Sequence, residues 1–222
     1  MRIVSVEYKV YKLQELSEKA KEVAHRKFIE LTSDCCGVFT VDCMDLIKEK
    51  FPNSDLQVQY SLNYCQGDGL NIYGKFNIMD IINNISDEIF SKEDKEKFDF
   101  LFSDTVGDIV INENRRYSYC TIKHYENLMF ETEDFGNYDD TEDFLNCIFD
   151  KDILKNKGIN VEIVDNLIKR FDKAAKDYIF NLCGELEELG YNFFYPSMEE
   201  FEITSEANDW EYLENGKLFI QK

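Results

Sequence analysis

The stretch from Leu56 to Phe76 constrains the fold more than any other part of the sequence. Apolar residues occupy every second position from 56 to 64, and this alternation predicts a half-buried β-strand. The tripeptide Gly67-Asp68-Gly69 is typical of a tight hairpin loop, because Gly69 can adopt a positive φ without a Cβ clash. A three-residue loop places apolar residues opposite one another, as a sheet with one buried face requires. The predicted pairs are Tyr64 with Ile72, Leu62 with Gly74, and Tyr60 with Phe76.

Three other segments have a similar strand pattern. Residues 3–11 alternate and predict a first strand, which we expect to pair with the central hairpin. Residues 108–112 and 117–125 predict a second hairpin, turning at Glu113-Asn114-Arg115-Arg116. Together these segments predict an antiparallel sheet of about five strands.

Helical periodicity recurs along the rest of the chain, so the predicted class is α+β, with several helices packed against the sheet. The longest helix falls in the C-terminal half, where Gly190 is expected to end it. A helix or a turn leading into one is expected at 77–84, and Asn215-Gly216 is expected to turn the chain between 210 and 220. The predicted helices are 17–32, 41–50, 91–101, 143–149, 161–189 and 198–208.

The composition predicts a folded protein. Of the 222 residues, 44 % are hydrophobic and 14 % aromatic, which argues against disorder despite a net charge of −20. Two prolines and ten glycines leave little material for a flexible linker. We therefore expect one compact domain over residues 1–222, with a sheet-containing subdomain 1–125 and an acidic helical subdomain 126–222 as the possible division.

The sequence predicts a cytoplasmic protein. Its first residues contain no apolar run of the length found in signal peptides, and no segment has the ~20 apolar residues of a membrane span. Seven cysteines without regular spacing fit a reducing compartment, in which cysteine serves as a small apolar residue.

The negative charge is concentrated in two segments. Glu126 to Asp150 contains nine acidic residues and Asp177 to Gly216 contains eleven, and neither contains a lysine or an arginine. These 20 carboxylates equal the whole net charge of −20, because the rest of the chain has 25 acidic and 25 basic residues. The acidity is therefore local.

Residue spacing gives little support to metal binding or catalysis. Cys35, Cys36 and Cys43 lack the C-x-x-C spacing of zinc sites, and His25 and His124 have no neighbouring partner motif. Neither histidine lies in a recognisable setting for a cysteine nucleophile. We expect no metal, no cofactor and no catalytic residue, and hence a protein that is not an enzyme.

The hairpin tip offers an alternative function as a ligand-binding or enzymatic site. Its glycines would let a ligand approach the backbone, and Asp68 could hold a cation or a hydroxyl group. In the predicted register Asn63 lies opposite Tyr73, so both would converge beside Asp68 on the polar face. An aspartate between two glycines is also ordinary turn chemistry, and we favour that structural interpretation.

The two acidic segments predict a surface for a basic macromolecular partner. Proteins that bind DNA expose lysine and arginine to its phosphates, and a carboxylate-rich surface could occupy the same site. The same charge disfavours direct binding of nucleic acid. The alternative is a coat of carboxylates that serves only solubility. The predicted partner-binding residues are Glu131, Glu133, Asp134, Asp139, Asp140, Glu142, Asp143, Glu187, Glu188, Glu199, Glu200 and Glu202.

Three motifs together resemble a group of small phage and prophage proteins. The first is Tyr11-Lys12-Leu13 followed by Glu15 to Lys21, which is similar to the group's opening Y-K-F/L-x-E-L-S-E-x-A-K helix. The others are the Q-G-D-G of Gln66 to Gly69 and the closing A-N-D-W with the later Asn215-Gly216. Here Asn63-Tyr64-Cys65 precedes the tip, where members of the group favour a Ser/Trp-rich run.

The resemblance implies a phage or mobile-element origin, but it assigns no catalytic residues. Small, strongly acidic phage proteins are often counter-defence factors, such as anti-CRISPR or anti-restriction proteins. The sequence hypothesis is therefore an inhibitor that binds a nucleic-acid-binding host protein, such as a CRISPR effector, through a surface that mimics nucleic acid. An antitoxin-like partner of a basic protein is a further alternative.

Overall fold

The structure is a computed structural model that describes residues 7–102, 107–111, 128 and 138–220. Within them the fold is α+β, as predicted, with eight α-helices, a short 3₁₀ turn at Leu13–Glu15 and a three-stranded antiparallel sheet. The strands are β1 (Asp55–Ser61), β2 (Gly69–Asn77) and β3 (Asp108–Ile111). The helices are α1 (Glu18–Ser33), α2 (Cys36–Lys50), α3 (Ile78–Ile89), α4 (Lys92–Phe102), α5 (Thr141–Ile148), α6 (Lys151–Asn156), α7 (Val161–Phe194) and α8 (Met198–Ala207).

The chain forms two compact units. The terminal unit consists of Met1–Phe39 and Glu188–Lys222, and the central unit consists of Thr40–Glu187. The sequence prediction of one domain, with a division near residue 125, stays a prediction.

The hairpin β1–β2 exists, but its predicted register is wrong. Ile72 pairs with Val58, Gly74 with Leu56, and Gly69 with Ser61. The pairing is displaced by six residues from the predicted one, so the connection spans 62–68 rather than three residues. An even displacement keeps every side chain on its predicted face. Accordingly Ile72 and Phe76 are buried, as the alternation required.

The sheet has three strands in the described residues rather than the five predicted. β3 pairs with β2 and confirms the first strand of the second hairpin, while 117–125 lies outside the described residues. The predicted strand 3–11 is wrong in its described part, because residues 7–10 have no strand pairing. Tyr11 instead forms a bridge with Tyr212, with N···O distances of 2.9 and 2.8 Å.

Two helices extend beyond their predicted ends because of aromatic packing. α2 begins at Cys36 rather than 41, and its Phe39 packs 5.3 Å from Phe194 between ring centroids. α7 continues through Gly190 to Phe194, and the chain leaves the helix just before Pro196. Proline disfavours a helical conformation in the residue before it, so it ends α7 where Gly190 does not. Burial of these aromatic rings stabilises the extra turns.

The other predicted helices are present within a few residues of their expected bounds. Ser17 and Ser91 cap α1 and α4 as the sequence predicted, with their side chains accepting from Ala20 N at 3.4 Å and Asp94 N at 3.1 Å. Asn77 caps α3. α6 was not predicted; Asp150 is its N-cap.

A buried polar network holds the centre of the central unit. Asp80, in the first turn of α3, is 2 % exposed and accepts hydrogen bonds from the Asn53 backbone at 2.9 Å, the Asn53 side chain at 2.8 Å and Ser54 at 2.7 Å. Asn84, one turn later, donates to the Lys50 carbonyl at 2.7 Å and accepts from the Tyr178 hydroxyl at 2.9 Å. The network therefore joins the end of α2, the start of β1, α3 and α7.

The terminal unit has a core formed by residues from its N-terminal and its C-terminal segment. Its buried members are Leu13, Leu16, Ala20, Ala24, Phe201 and Tyr212. Gly216 completes this core, because its φ of +80° and the 2.1 Å between a built Cβ and the Ala20 carbonyl oxygen exclude any side chain.

Replacing Asp80 with alanine is expected to lower the free energy of unfolding by roughly 3 kcal/mol, because three donors lose the buried carboxylate that accepts from them. Chemical denaturation measures this change. Asp87→Ala on the same helix is the control, since its exposed ion pair with Lys95 contributes at most about 1 kcal/mol. Equal effects of the two substitutions would contradict the assigned role of Asp80.

Gly216→Ala is expected to destabilise the protein by roughly 3 kcal/mol, through positive φ and the clash with Ala20. The matched control is Gly184→Ala in α7, where a Cβ meets nothing within 4 Å. There alanine should stabilise by about 0.5–1 kcal/mol, because the helix loses a flexible glycine. Thermal unfolding of both variants decides the prediction, and an unchanged melting temperature for Gly216→Ala would refute it.

Candidate functional site

Helix α8 of the terminal unit carries three of the predicted partner-binding residues. Glu199 and Glu200 are exposed, and Glu202 is half-buried. Glu206 is exposed on the same helix face as Glu199 and Glu202, since residues three, four and seven apart share a face. Ile203 lies between them and is 62 % exposed. We call Glu199, Glu202, Ile203 and Glu206 the acidic α8 face.

The opposite side of α8 fixes this orientation. Phe201 is buried and its ring lies 5.1 Å from that of Phe28 and 5.5 Å from that of His25. The buried Ser205 hydroxyl lies 2.8 Å from the Tyr212 hydroxyl. With these residues turned inward, the acidic α8 face is held toward solvent.

The C-terminal part of the acidic α8 face, Glu202 and Glu206, is electrostatically unfavourable in the isolated protein, whereas Glu199 lies in the first turn, where the helix dipole favours a carboxylate. Like charges three or four residues apart on a helix destabilise it by about 0.2–0.5 kcal/mol per pair, and both spacings occur here. Glu206 lies in the last turn, where the helix dipole disfavours a negative charge. The ion pairs of the described residues include none of these glutamates. Helix stability therefore does not account for Glu202 and Glu206.

Glu200 has a structural role. Its carboxylate accepts from the Ser197 backbone at 2.6 Å, and Ser197 caps the helix in return. These hydrogen bonds from Ser197 lower the pKa of Glu200 below the ordinary glutamate value. It contributes negative charge to α8 but its side chain is already engaged.

The acidic residues around α5 in the central unit divide in the same way. Asp140 is the N-cap and accepts from Asp143 N at 2.8 Å. Glu142 and Asp143 both lie in the first turn, where the helix dipole favours a carboxylate. Asp139 and Glu142 are exposed and take part in no ion pair among the described residues. Ile148, at the end of α5, is 52 % exposed.

The remaining predicted partner-binding residues are less informative. Glu187 is half-buried and Glu188 is exposed on α7, followed by Leu189 at 50 % exposure. Glu131, Glu133 and Asp134 lie outside the described residues. They stay predictions from the sequence.

The predicted convergence of Asn63, Asp68 and Tyr73 at the hairpin tip is wrong. Asn63 and Asp68 meet, with the Asn63 backbone donating to the Asp68 carboxylate at 2.6 Å. Tyr73 instead pairs with Gln57, and its hydroxyl donates to the Gln57 side chain at 2.8 Å. The changed register moves Tyr73 along the sheet, away from its predicted place opposite Asn63.

Asp68 braces the loop 62–68. Besides the Asn63 bond, its carboxylate accepts from Ser61 Oγ at 3.0 Å, Cys65 N at 2.9 Å and Cys65 Sγ at 3.1 Å. Desolvation opposes the charged form, but the hydrogen bonds from Cys65, Asn63 and Ser61 outweigh it and lower the pKa of Asp68. The loop also holds Tyr64 at a φ of +54°. The carboxylate is thus used internally, as the structural interpretation of the tip predicted.

Other site types find no support within the part of the chain that the structure describes. No group of three or more His, Cys, Asp and Glu side chains there could hold a metal ion. None of the helices in that part is long and apolar enough to cross a membrane.

Comparison of the chain with protein-family models, with curated proteins and with solved structures finds no match. The resemblance to phage proteins therefore stays an interpretation of the three sequence motifs.

Two residues of the acidic α8 face were missing from the predicted set. Glu206 was counted in the acidic segment but not selected, and Ile203 was not considered. The spacing of Phe201 and Ser205 defines the inner face of α8, and Ile203 lies off it. An apolar residue off the core-facing stripe of an acidic helix was therefore a detectable sequence feature.

Asp68→Asn is expected to make the protein less stable at neutral pH, because the carboxylate's hydrogen bonds weaken. The lowered pKa means that this stabilisation is fully present above the unfolded-state value of 3.8 and is lost as pH falls below it. Wild type and variant should therefore converge in stability in acid. Denaturant unfolding between neutral pH and pH of about 2 tests this, and a difference that is independent of pH would contradict it.

Proposed function

We propose that this protein is a non-enzymatic, phage-type counter-defence inhibitor. It binds a nucleic-acid-binding host protein, such as a CRISPR effector, in the bacterial cytoplasm and blocks access of DNA or RNA. It needs no cofactor. The observation that carries the proposal is the acidic α8 face, where mutually repelling carboxylates surround an exposed isoleucine.

The acidic α8 face carries negative charge at a density of the same order as a nucleic-acid strand. Its three carboxylates, Glu199, Glu202 and Glu206, span seven residue steps, or about 10.5 Å along the helix axis. That is one negative charge per ~5 Å, against 3.4 Å per strand along duplex DNA. A row of lysines and arginines that neutralises phosphates can therefore neutralise this helix as well.

The exposed Ile203 supplies what charge alone lacks. Surface ion pairs contribute about 0–1 kcal/mol each, so a purely acidic face would bind weakly and without specificity. An apolar side chain at the centre of a contact, with polar residues around it, is the arrangement that carries most binding energy in interfaces. We assign Ile203 as the anchor and the glutamates as the steering and orienting groups.

A basic partner binds more favourably because it relieves the repulsion between carboxylates on α8. Basic side chains that approach α8 remove the repulsion between Glu199, Glu202 and Glu206 as well as forming new ion pairs. In Cas9-type effectors, arginines read the PAM and a positively charged channel holds the guide–target heteroduplex. Both are basic surfaces that a carboxylate-bearing helix fits.

Exposed acidic residues of the central unit extend the proposal. Asp139 and Glu142 have no capping role among the described contacts, so they remain available to a partner. Glu188 of the terminal unit and the sequence-predicted Glu131, Glu133 and Asp134 are proposed as further contacts on the same grounds of charge.

The test is the affinity for purified, guide-loaded CRISPR effectors. Glu202→Lys/Glu206→Lys should weaken binding at least about tenfold, or 1.4 kcal/mol, because it replaces attraction with repulsion. Ile203→Ser should also weaken binding, but with little change in salt dependence. Wild-type affinity should fall as salt rises, and the double reversal should flatten that dependence.

Glu88→Lys/Glu96→Lys is the matched control, since it makes the same change in net charge at exposed positions outside both acidic segments. Circular dichroism verifies that all variants fold. Equal loss in the control and in Glu202→Lys/Glu206→Lys would show that total charge, not the acidic α8 face, governs binding. Failure of the wild-type protein to bind any effector would contradict the proposed function.

A further inference from the structure

A pair of adjacent cysteines marks the turn between α1 and α2 in the terminal unit. α1 ends at Ser33 and α2 begins at Cys36, so Cys35 lies in the two-residue turn and Cys36 opens the next helix. Consecutive Cα atoms are about 3.8 Å apart, so rotation of the two side chains can bring both thiols to one bridging atom. The acidic residues of the proposed partner surface are not involved.

The turn is exposed to solvent. All six residues from 33 to 38 are exposed. Gly37 lacks a side chain, and a Cβ built on it meets nothing within 4 Å. Cys35 Sγ lies 3.5 Å from the Leu31 carbonyl oxygen, and this hydrogen bond is weak because a thiol is a weak donor.

The other described cysteines differ from this pair. Cys43 and Cys183 are buried, and burial raises the pKa of the Cys43 thiol to about 11. Cys65 and Cys147 are exposed, as Cys35 and Cys36 are. Neither has a second cysteine beside it in sequence. They provide exposed single-thiol controls within the same chain.

We propose that Cys35 and Cys36 form a dithiol site for trivalent arsenic compounds. Two As–S bonds form with an arsenoxide; the As=O oxygen leaves as water and takes both thiol protons. Arsenic stays trivalent and no residue is oxidised or reduced, so the reaction needs no further reagent. Thiolates are soft ligands and select soft, thiophilic centres over hard cations.

The geometry tolerates this ligand. Cys35 is not helical and Cys36 is the first residue of α2, so a change at their peptide unit costs at most the first turn of the helix. The Cys35 carbonyl accepts from Val38 N at 2.9 Å, and the buried Phe39 anchors α2 just beyond. Chelation therefore stays local and should leave the fold intact.

Phenylarsine oxide is the probe, and intact-mass spectrometry of the full chain is the readout. In excess 2-mercaptoethanol, which displaces arsenic from single thiols, wild type should keep one adduct that 2,3-dimercaptopropanol removes. Cys35→Ser and Cys36→Ser should each bind roughly 100-fold more weakly or not at all, because the second bond is no longer intramolecular.

Cys65→Ser, Cys147→Ser and Cys120→Ser should each keep the adduct; Cys120 lies outside the described residues. Circular dichroism establishes that every variant is folded. The proposal is overturned if wild type retains no adduct, if either Cys35→Ser or Cys36→Ser retains it, or if one of the three control substitutions abolishes it. None of these results bears on the acidic α8 face.

Discussion

The buried carboxylate of Asp80 is the constraint on which the central unit depends. A charged group that is 2 % exposed must be surrounded by donors, and only the segment at Asn53 and Ser54 supplies them among the described contacts. That segment immediately precedes β1, so satisfying Asp80 places the start of the hairpin against α3. Asn84 extends the same constraint to α7 through Tyr178. The hydrogen bonds that satisfy the Asp80 carboxylate therefore also fix the position of the hairpin against α3.

Local patterns predicted the elements, but not how the hairpin strands align. The alternation from 56 to 64 correctly predicted that Leu56 and Leu62 are buried, although Tyr64 is 70 % exposed. It is indifferent to a displacement by six residues because six is even. The choice between registers rests on the loop 62–68, whose backbone amides converge on Asp68. Hydrogen bonds of that kind depend on the folded loop and leave no periodic trace in the sequence.

Helix ends likewise depended on distant partners. Ser17 and Ser91 act within their own helices and were predictable as caps. The first turn of α2 and the last of α7 depend on rings far apart in sequence, such as Phe39 and Phe194. Helix propensity does not reveal a contact between residues so far apart in sequence. The prediction that α7 ends at Gly190 is therefore wrong.

The candidate site was predictable as a region rather than as a face. The absence of lysine and arginine from Asp177 to Gly216 identified the acidic segment. On α8, Glu200 is engaged with Ser197, whereas Glu202 and Glu206 repel each other and Glu206 also opposes the helix dipole. The two interpretations differ in what they predict for Ile203: its substitution should weaken partner binding only if the acidic α8 face is an interface.

The central claim is that the acidic α8 face takes the place of nucleic acid on its partner. Competition measures this most directly: a guide-loaded effector holds a fluorescent target duplex while the protein is titrated and anisotropy is recorded. We expect complete release of the duplex. The midpoint of the displacement curve should move to higher protein concentration when the duplex concentration is raised. A stable ternary complex, in which the protein binds and the duplex stays bound, would contradict it.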